Sequence, residues 1–228
     1  YLSNNLEIIL YYLLVFIFLI SLEEGRQYKE RFAILTLTLL VFYFSNNLDP
    51  RKSVSFIDIY GDSTLIIDSF NQCNILIDTG EVDDYDSVIN YIKNKNIRNL
   101  DYLIISHFHS DHYGESSDIL NEFNVKNVIS KNNVVDFEDK LIQCGSLSMF
   151  IYPFEYDEEN ENNNSIVMSL FINNKHYLFT GDIELSRELS FISKYDLDVD
   201  YLKVPHHGSI TSSSQLFIDS IEPEEVFI

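Results

Sequence analysis

The sequence predicts an α/β domain of layered sheets covered by helices, preceded by an apolar helical hairpin. Three observations carry that expectation. Two charge-free apolar runs, residues 8–20 and 32–44, dominate the first 48 residues. After them, short strand-like runs broken by Gly, Asn and Asp alternate with helix-like stretches. Ligand-competent polar side chains recur where several of those runs end. A chain of 228 residues has the length for one or two domains with substantial cores.

Each apolar run is thirteen residues long without an amphipathic period, and eleven mostly polar residues join them, as in two antiparallel helices. A membrane span needs about 20 residues, so these runs must recruit flanks such as Asn4, Asn5, Ser45 and Asn46. No basic segment precedes residue 8 and no small-residue cleavage site follows, which argues against a secretory signal. Arg26, Lys29 and Arg31 lie in the connection, and only Arg51 and Lys52 follow the second run. The expectation is two transmembrane helices over 1–48 with the connection inside and residues 49–228 outside. The chain begins at Tyr1 and stops within the apolar run VFI, so it reads as a fragment.

From Val54 onward, VSFIDI, STLIIDS and CNILI read as strands and residues 85–93 as a helix. LDYLIIS is a near-continuous apolar strand, GESSDILNEF a helix, and NVIS, LSMFIY, SIVMSLFI and HYLFT are further strands. A helix over 183–193, the strand VDYLKV and a helix starting near Ser213 complete the pattern. DEENENNN, 157–164, reads as a solvated acidic loop.

Acidic residues number 36 against 15 basic, a net charge of -21, and the first 48 residues hold only four acids and three bases. The charge therefore belongs to 49–228. Such a surface repels polyphosphate and excludes passive electrostatic binding of nucleic acid; a nucleic-acid role must be catalytic or assisted by metal ions. Cys73 and Cys144 are too few for a Cys-rich zinc module. They read as two core thiols, or as one disulfide if the domain faces an oxidising compartment.

Five of the six histidines fall in two groups. In SHFHSDHYG, His107 and His109 alternate on an extended segment and point the same way, while Asp111 and His112 come from the following turn. Imidazoles with a carboxylate suit Zn(II) or Mn(II), and the number of groups suits two ions. Asp182 in FTGDIE follows an apolar strand, where its carboxylate could bridge two ions. LKVPHHGS repeats the arrangement, with either His206 or His207 as ligand and Lys203, Gly208 and Ser209 as phosphate contacts. Lys203 reads equally as a structural cation paired with an acid. Asp78 in NILIDTG ends another strand and reads as a carboxylate that orients the cluster.

Together LIDTG, SHFHSDHYG, FTGDIE and LKVPHHGS resemble the metallo-β-lactamase fold, and more closely the C-terminal domain of ComEC-type competence proteins, the DNA-uptake channels of transformable bacteria. DIYGDS, Asp58 to Ser63, is similar to that family's D-V-G-Q-G-D-S opening with one residue fewer, and NNNSIVMSL also fits. The resemblance implies an αββα sandwich over 49–228 behind the last helices of a channel domain upstream in the same chain. It also implies two divalent ions, Zn or Mn, and cleavage of phosphodiester bonds in the DNA strand that is not imported. Single-stranded DNA, the membrane and other competence proteins are the implied partners. Carried over, His107, His109, Asp111, His112 and Asp182 fall on metal positions and His206 or His207 on a further one, with Asp111 also handling the attacking water. Many relatives of the wider fold place a third His between the HxHxDH motif and the bridging Asp; here that interval holds only His176, read as part of a hairpin turn. One ion is therefore expected to bind weakly, with Asn164 and Ser165 nearest the gap. Two rival readings are a degenerate, non-catalytic cap on the DNA channel and a generic metallo-hydrolase of small esters.

Overall fold

The computed structural model describes residues 15–16, 30, 33–39, 52–134, 140–153 and 156–228. The chain divides into two compact units, Tyr1–Pro50 and Arg51–Ile228. In the first, the described residues are helical, and Thr38 Oγ1 donates back to the Ile34 carbonyl at 2.8 Å. The rest of the expected hairpin lies outside the described residues. Among those described, no helix is long and apolar enough to cross a membrane.

The second unit is built on two sheets. Strands β1 (Ser53–Phe56), β2 (Thr64–Ile67), β3 (Asn74–Ile77), β4 (Asn99–Ile105) and β5 (Asn124–Ser130) lie in sequence order. The first three are antiparallel neighbours; β3, β4 and β5 run parallel. Strands β6 (Lys140–Cys144), β7 (Leu147–Tyr152), β8 (Val167–Ile172), β9 (Lys175–Phe179), β10 (Tyr201–Lys203) and β11 (Glu225–Phe227) form the other sheet. Its order is β11-β10-β9-β8-β7-β6, antiparallel from β6 to β9 and parallel from β9 to β11.

Three apolar clusters follow from that layering. Between the sheets, Ile66, Ile75, Ile77 and Ile104 meet Met149, Ile151, Met168 and Phe179. The outer face of the first sheet, through Leu65, Leu76 and Leu103, packs on α1 (Tyr85–Asn94), whose Val88, Ile89 and Ile92 recur at helical spacing, and on Ile119 of a later helix. On the outer face of the second sheet, Val167, Leu178 and Leu202 pack against Phe191, Phe217 and Ile221. Central strands thus bury both faces, which is why TLII and NILI are continuous apolar runs.

Two expectations are corrected here. Cys73 and Cys144 are not free thiols but a disulfide joining the start of β3 to the end of β6, and therefore one sheet to the other. The stretch 157–164 is not a loose acidic loop: Asn162, Asn163 and Asn164 are buried in a 3-10 turn. Asp157 Oδ2 accepts from Asn163 Nδ2, and Asn162 Nδ2 donates to Glu184. The asparagine run is an internally bonded clamp on the segment after Asp182.

Candidate metal centre

Interior strand β4 ends at Ile105 and delivers Ser106 and His107, both fully buried, to the end of the first sheet. His109 keeps extended backbone (φ -87°, ψ 147°) and opens the short helix α2 (Ser110–Tyr113), which carries Asp111 and His112. The helix sits in a tight cradle. Asp62 N donates to the Asp111 carbonyl at 2.9 Å and Thr79 N to the His112 carbonyl at 2.7 Å. A Cβ on Gly61 would stand 2.1 Å from that Asp111 oxygen, so only glycine lets the turn before β2 approach. A further helix, α3 (Ser116–Glu122), follows and contributes the Ile119 named above.

From the second sheet, β9 ends at Phe179, and Gly181 (φ +53°) turns the chain so that Asp182 enters the same space. After β10, His206 and His207 both adopt left-handed backbone (φ 50° and 49°), an arrangement that non-glycine residues hold only where their surroundings enforce it.

The side chains converge. His112 Nε2 lies 3.3 Å from Asp182 Oδ1 and 3.8 Å from Asp111 Oδ2. His107 Nε2 is 3.8 Å from Asp182 Oδ2, and the His107 and His112 rings are 4.2 Å apart. His207 Nε2 lies 3.4 Å from Asp111 Oδ2 and 3.9 Å from Asp182 Oδ2. His109 is solvent-exposed, its ring edge-on to His107 at 4.8 Å. Asp78 stands behind the cluster: its Oδ2 is 2.8 Å from His112 Nδ1, and it accepts from Ser106 N and Oγ at 2.7 and 2.8 Å. With Nδ1 so engaged, His112 presents Nε2 to the centre.

The electrostatics follow from burial and proximity. Burial, reinforced by repulsion from His112, pushes His107 down to about 3, so its imidazole is neutral and able to ligate. Burial works against charge on His112 too, but Asp78 and Asp182 outweigh it and raise the group to about 11. The His207 imidazole, 3.4 Å away, holds Asp111 well below the usual carboxylate range, and the same close approach raises His207. Burial pushes Asp182 up, yet the neighbouring imidazoles bring it below its ordinary value, whereas at Asp78 burial prevails and the group is raised.

Among the described residues, His107 Nε2, His112 Nε2, Asp182 Oδ1 and His207 Nε2 are shielded from solvent and lack a hydrogen-bond partner. Orphaned buried polar atoms cost about 1–3 kcal/mol each, and here they face one space. Divalent cations fit that set, imidazole nitrogens and carboxylate oxygens being ligands for Zn(II) and Mn(II) alike. Ligand atoms of Asp62, His112, Asp182 and His207 all lie within 4.8 Å of one another.

Other expected site residues are engaged elsewhere. Lys203 is buried and ion-paired with Asp62 at 2.8 Å, so its phosphate-contact reading gives way to the structural one. Asn164 spends its amide within the 157–164 turn, on Asp157 and Glu161, and is not a candidate to fill the gap left by a third His. Ser165 Oγ accepts from Asp182 N at 2.9 Å and so positions that residue instead. Gly208 and Ser209 close the turn beyond His207, with Ser209 N donating to the His206 carbonyl at 2.7 Å. His206 Nε2 is 3.9 Å from Asp182 Oδ2, but its Nδ1 faces Glu184 and Thr211 at 3.5 and 3.3 Å. His176 lies in β9 rather than in the turn, stacked on Phe171 with Nδ1 on the Asp198 carbonyl. Asp62, in DIYGDS, the motif one residue short, also reaches the site, a residue that the strand-end pattern of the sequence does not mark.

Comparison with known proteins agrees with this architecture. Residues 57–162 match the metallo-beta-lactamase superfamily model. The resemblance to ComEC-type competence proteins extends over most of the chain. It is 28% identical to ComE operon protein 3 of Bacillus subtilis (strain 168), covering 85% of this chain and 30% of that protein. It is 25% identical to competence protein ComA of Neisseria gonorrhoeae, covering 90% of this chain and 31% of that one. The chain thus spans under a third of the length of these relatives. Among solved structures, the metallo-beta-lactamase fold protein YhfI from Bacillus subtilis superposes with a TM-score of 0.51 over 76% of this chain and 83% of its own, at 13% identity. The likeness to YhfI is one of fold alone, the metallo-β-lactamase α/β sandwich.

Proposed function

From the fold of metallo-β-lactamase superfamily hydrolases and the kinship with competence proteins, we propose that residues 49–228 are a metal-dependent phosphodiesterase that serves DNA uptake, cutting the strand that is not imported. The carrying observation is the convergence of unpartnered His107, His112, Asp182 and His207 atoms on one space. His107, His109, Asp111, His112, Asp182 and His207 would hold the ions, with His206 at the rim. Bound divalent ions would supply an activated water at neutral pH and offset charge on the phosphate oxygens. The chain's own share is positional: Asp111, only half-buried and held ionised, orients the attacking water at the mouth of the site. Asp78 fixes the His112 ring, and Ser165 holds the Asp182 backbone.

Residues 1–48 are proposed as a membrane hairpin ending a channel domain, with the hydrolase on the extracytoplasmic side. A disulfide between Cys73 and Cys144 supports an oxidising compartment. Membrane-impermeant thiol labelling of single-cysteine variants on intact cells tests the topology; labelling of the hydrolase unit only after lysis refutes it.

The test of activity is bound metal per chain, followed by cleavage of single-stranded DNA with Mn(II) or Zn(II). Cleavage that disappears in Asp182→Ala is the expected result, and undiminished cleavage in that variant overturns the assignment. A second reading, a non-catalytic cap on the channel, draws on the commitment of Asn164 and Ser165 to other partners where relatives of the fold place a third His. Metal bound without turnover on any phosphodiester would favour it.

A further inference from the structure

Lys203 has no evident use in the reaction, and a buried lysine is costly unless its charge is answered. The residue is 9% exposed, and its ammonium, shielded from solvent, lies 2.8 Å from Asp62 Oδ1. The same Asp62 oxygen is 3.9 Å from His207 Nδ1, on the far side of the ring from the Nε2 that faces Asp111 and Asp182. We infer that Asp62, anchored by Lys203, is a positioning residue of the metal centre that orients His207. This inference rests on the metal-dependent reading above.

Three features converge on it. First, the arrangement parallels that of Asp78 and His112, a carboxylate on the Nδ1 side while Nε2 faces the centre, at 3.9 Å for Asp62 against 2.8 Å for Asp78. Asp78 is steadied by two donors from Ser106, whereas Asp62 has the buried cation behind it. Second, the Asp62 backbone is pinned to the site, its N–H on the Asp111 carbonyl and its carbonyl accepting from Gly80 N, each at 2.9 Å. The carboxylate is therefore carried by the turn that cradles α2. Third, His207 occupies left-handed backbone, which leaves its ring dependent on neighbours for orientation. Lys203 belongs to β10 of the second sheet and Asp62 to the turn before β2 of the first, so the pair links the two halves of the ligand set.

The experiment uses the purified 228-residue chain and its Asp62→Asn, Asp62→Glu and Lys203→Met variants. Mn(II) and Zn(II) affinities are read by calorimetry, the Co(II) form by its visible spectrum, and the metal-free fold by thermal melting. Asp62→Asn is expected to weaken metal binding about 10- to 100-fold and to alter the Co(II) spectrum; because it leaves the Lys203 charge unanswered it also lowers the metal-free melting temperature, which the Asp62→Asn, Lys203→Met double variant should restore without restoring metal affinity. Asp62→Glu should recover most of the affinity. Lys203→Met should weaken binding as well, and the Asp62→Asn, Lys203→Met double variant should be no weaker than Asp62→Asn alone, because the lysine acts through the carboxylate. Wild-type affinity and spectrum in Asp62→Asn overturn the inference and leave the metal reading standing. So does a loss of affinity in Asp62→Asn that the double variant reverses together with the melting temperature. A wild-type chain that binds no divalent ion overturns the metal reading itself.

Discussion

His207 turns Nε2 toward Asp111 at 3.4 Å, whereas its neighbour His206 has Nδ1 engaged by Glu184 and Thr211 and leaves Nε2 at the rim. The two histidines are therefore expected to differ sharply on substitution. His207→Ala should lower divalent-metal affinity by about 100-fold or more, as loss of a ligand does, and His206→Ala by less than about tenfold. Calorimetric titration of both variants checks this, and equal losses would contradict the assignment. The sequence could not separate the pair, because adjacent histidines at a strand end are equivalent until the backbone is known, and here both adopt left-handed φ. HxHxDH was legible from spacing alone, since an apolar strand delivers that group to one place. Asp62 was not, since its relevance comes from a cation 141 positions later in the chain.

At the scale of elements, the turn preceding β2 packs tightly on α2. Gly61→Ala would set a methyl group 2.1 Å from the Asp111 carbonyl, and the turn must retreat. Destabilisation of about 1–3 kcal/mol is expected, measurable by urea denaturation, together with weaker metal binding because Asp62 moves with the turn. The elements themselves were largely readable: LSMFIY is β7, and the strands that bury both faces announced themselves as apolar runs. What escaped were the edges of the second sheet. β6 buries only Ile142 among its five residues and β11 buries none, so neither shows the hydrophobic pattern that marks an interior strand. The 157–164 stretch was misread for a related reason: its order comes from side-chain amides bonding to backbone and carboxylates, which composition does not reveal.

Across the whole unit, the sheets are joined at one end by the Cys73–Cys144 disulfide and, beside it, by Asp68, which accepts from Ser146 N and Oγ at 2.6 and 2.8 Å. Reduction, or Cys73→Ser with Cys144→Ser, should cost about 2–5 kcal/mol of stability by denaturant titration. Burial opposes ionisation of Asp68, but hydrogen bonds from Ser146 and Ser69, with Lys52 nearby, hold it below its ordinary value. Its contribution is then present above the unfolded carboxylate value of about 3.9 and is lost as pH falls through the lower folded value. The stability gap between wild type and Asp68→Asn should stay constant from about pH 5 to 7 and shrink below about pH 4; a gap that widens on acidification would refute this.

Strand β3 (Asn74–Ile77) runs from the disulfide at Cys73 to Asp78, five residues and about 17 Å away. The ligand set is likewise divided, with Asp111 and the HxHxDH histidines from the first sheet and Asp182 and His207 from the second. Neither sheet alone can assemble it. Metal uptake thus becomes a clock for the last docking event in folding, since ions bind only after the sheets have closed on each other. Once bound, they hold that closed state by mass action, in proportion to the logarithm of free metal over its dissociation constant. A reduced, metal-free chain would have its two sheets held by connecting loops, apolar contacts and the Asp68–Ser146 and Asp62–Lys203 pairs, and each external condition, oxidant or cation, would secure a different end of the same strand.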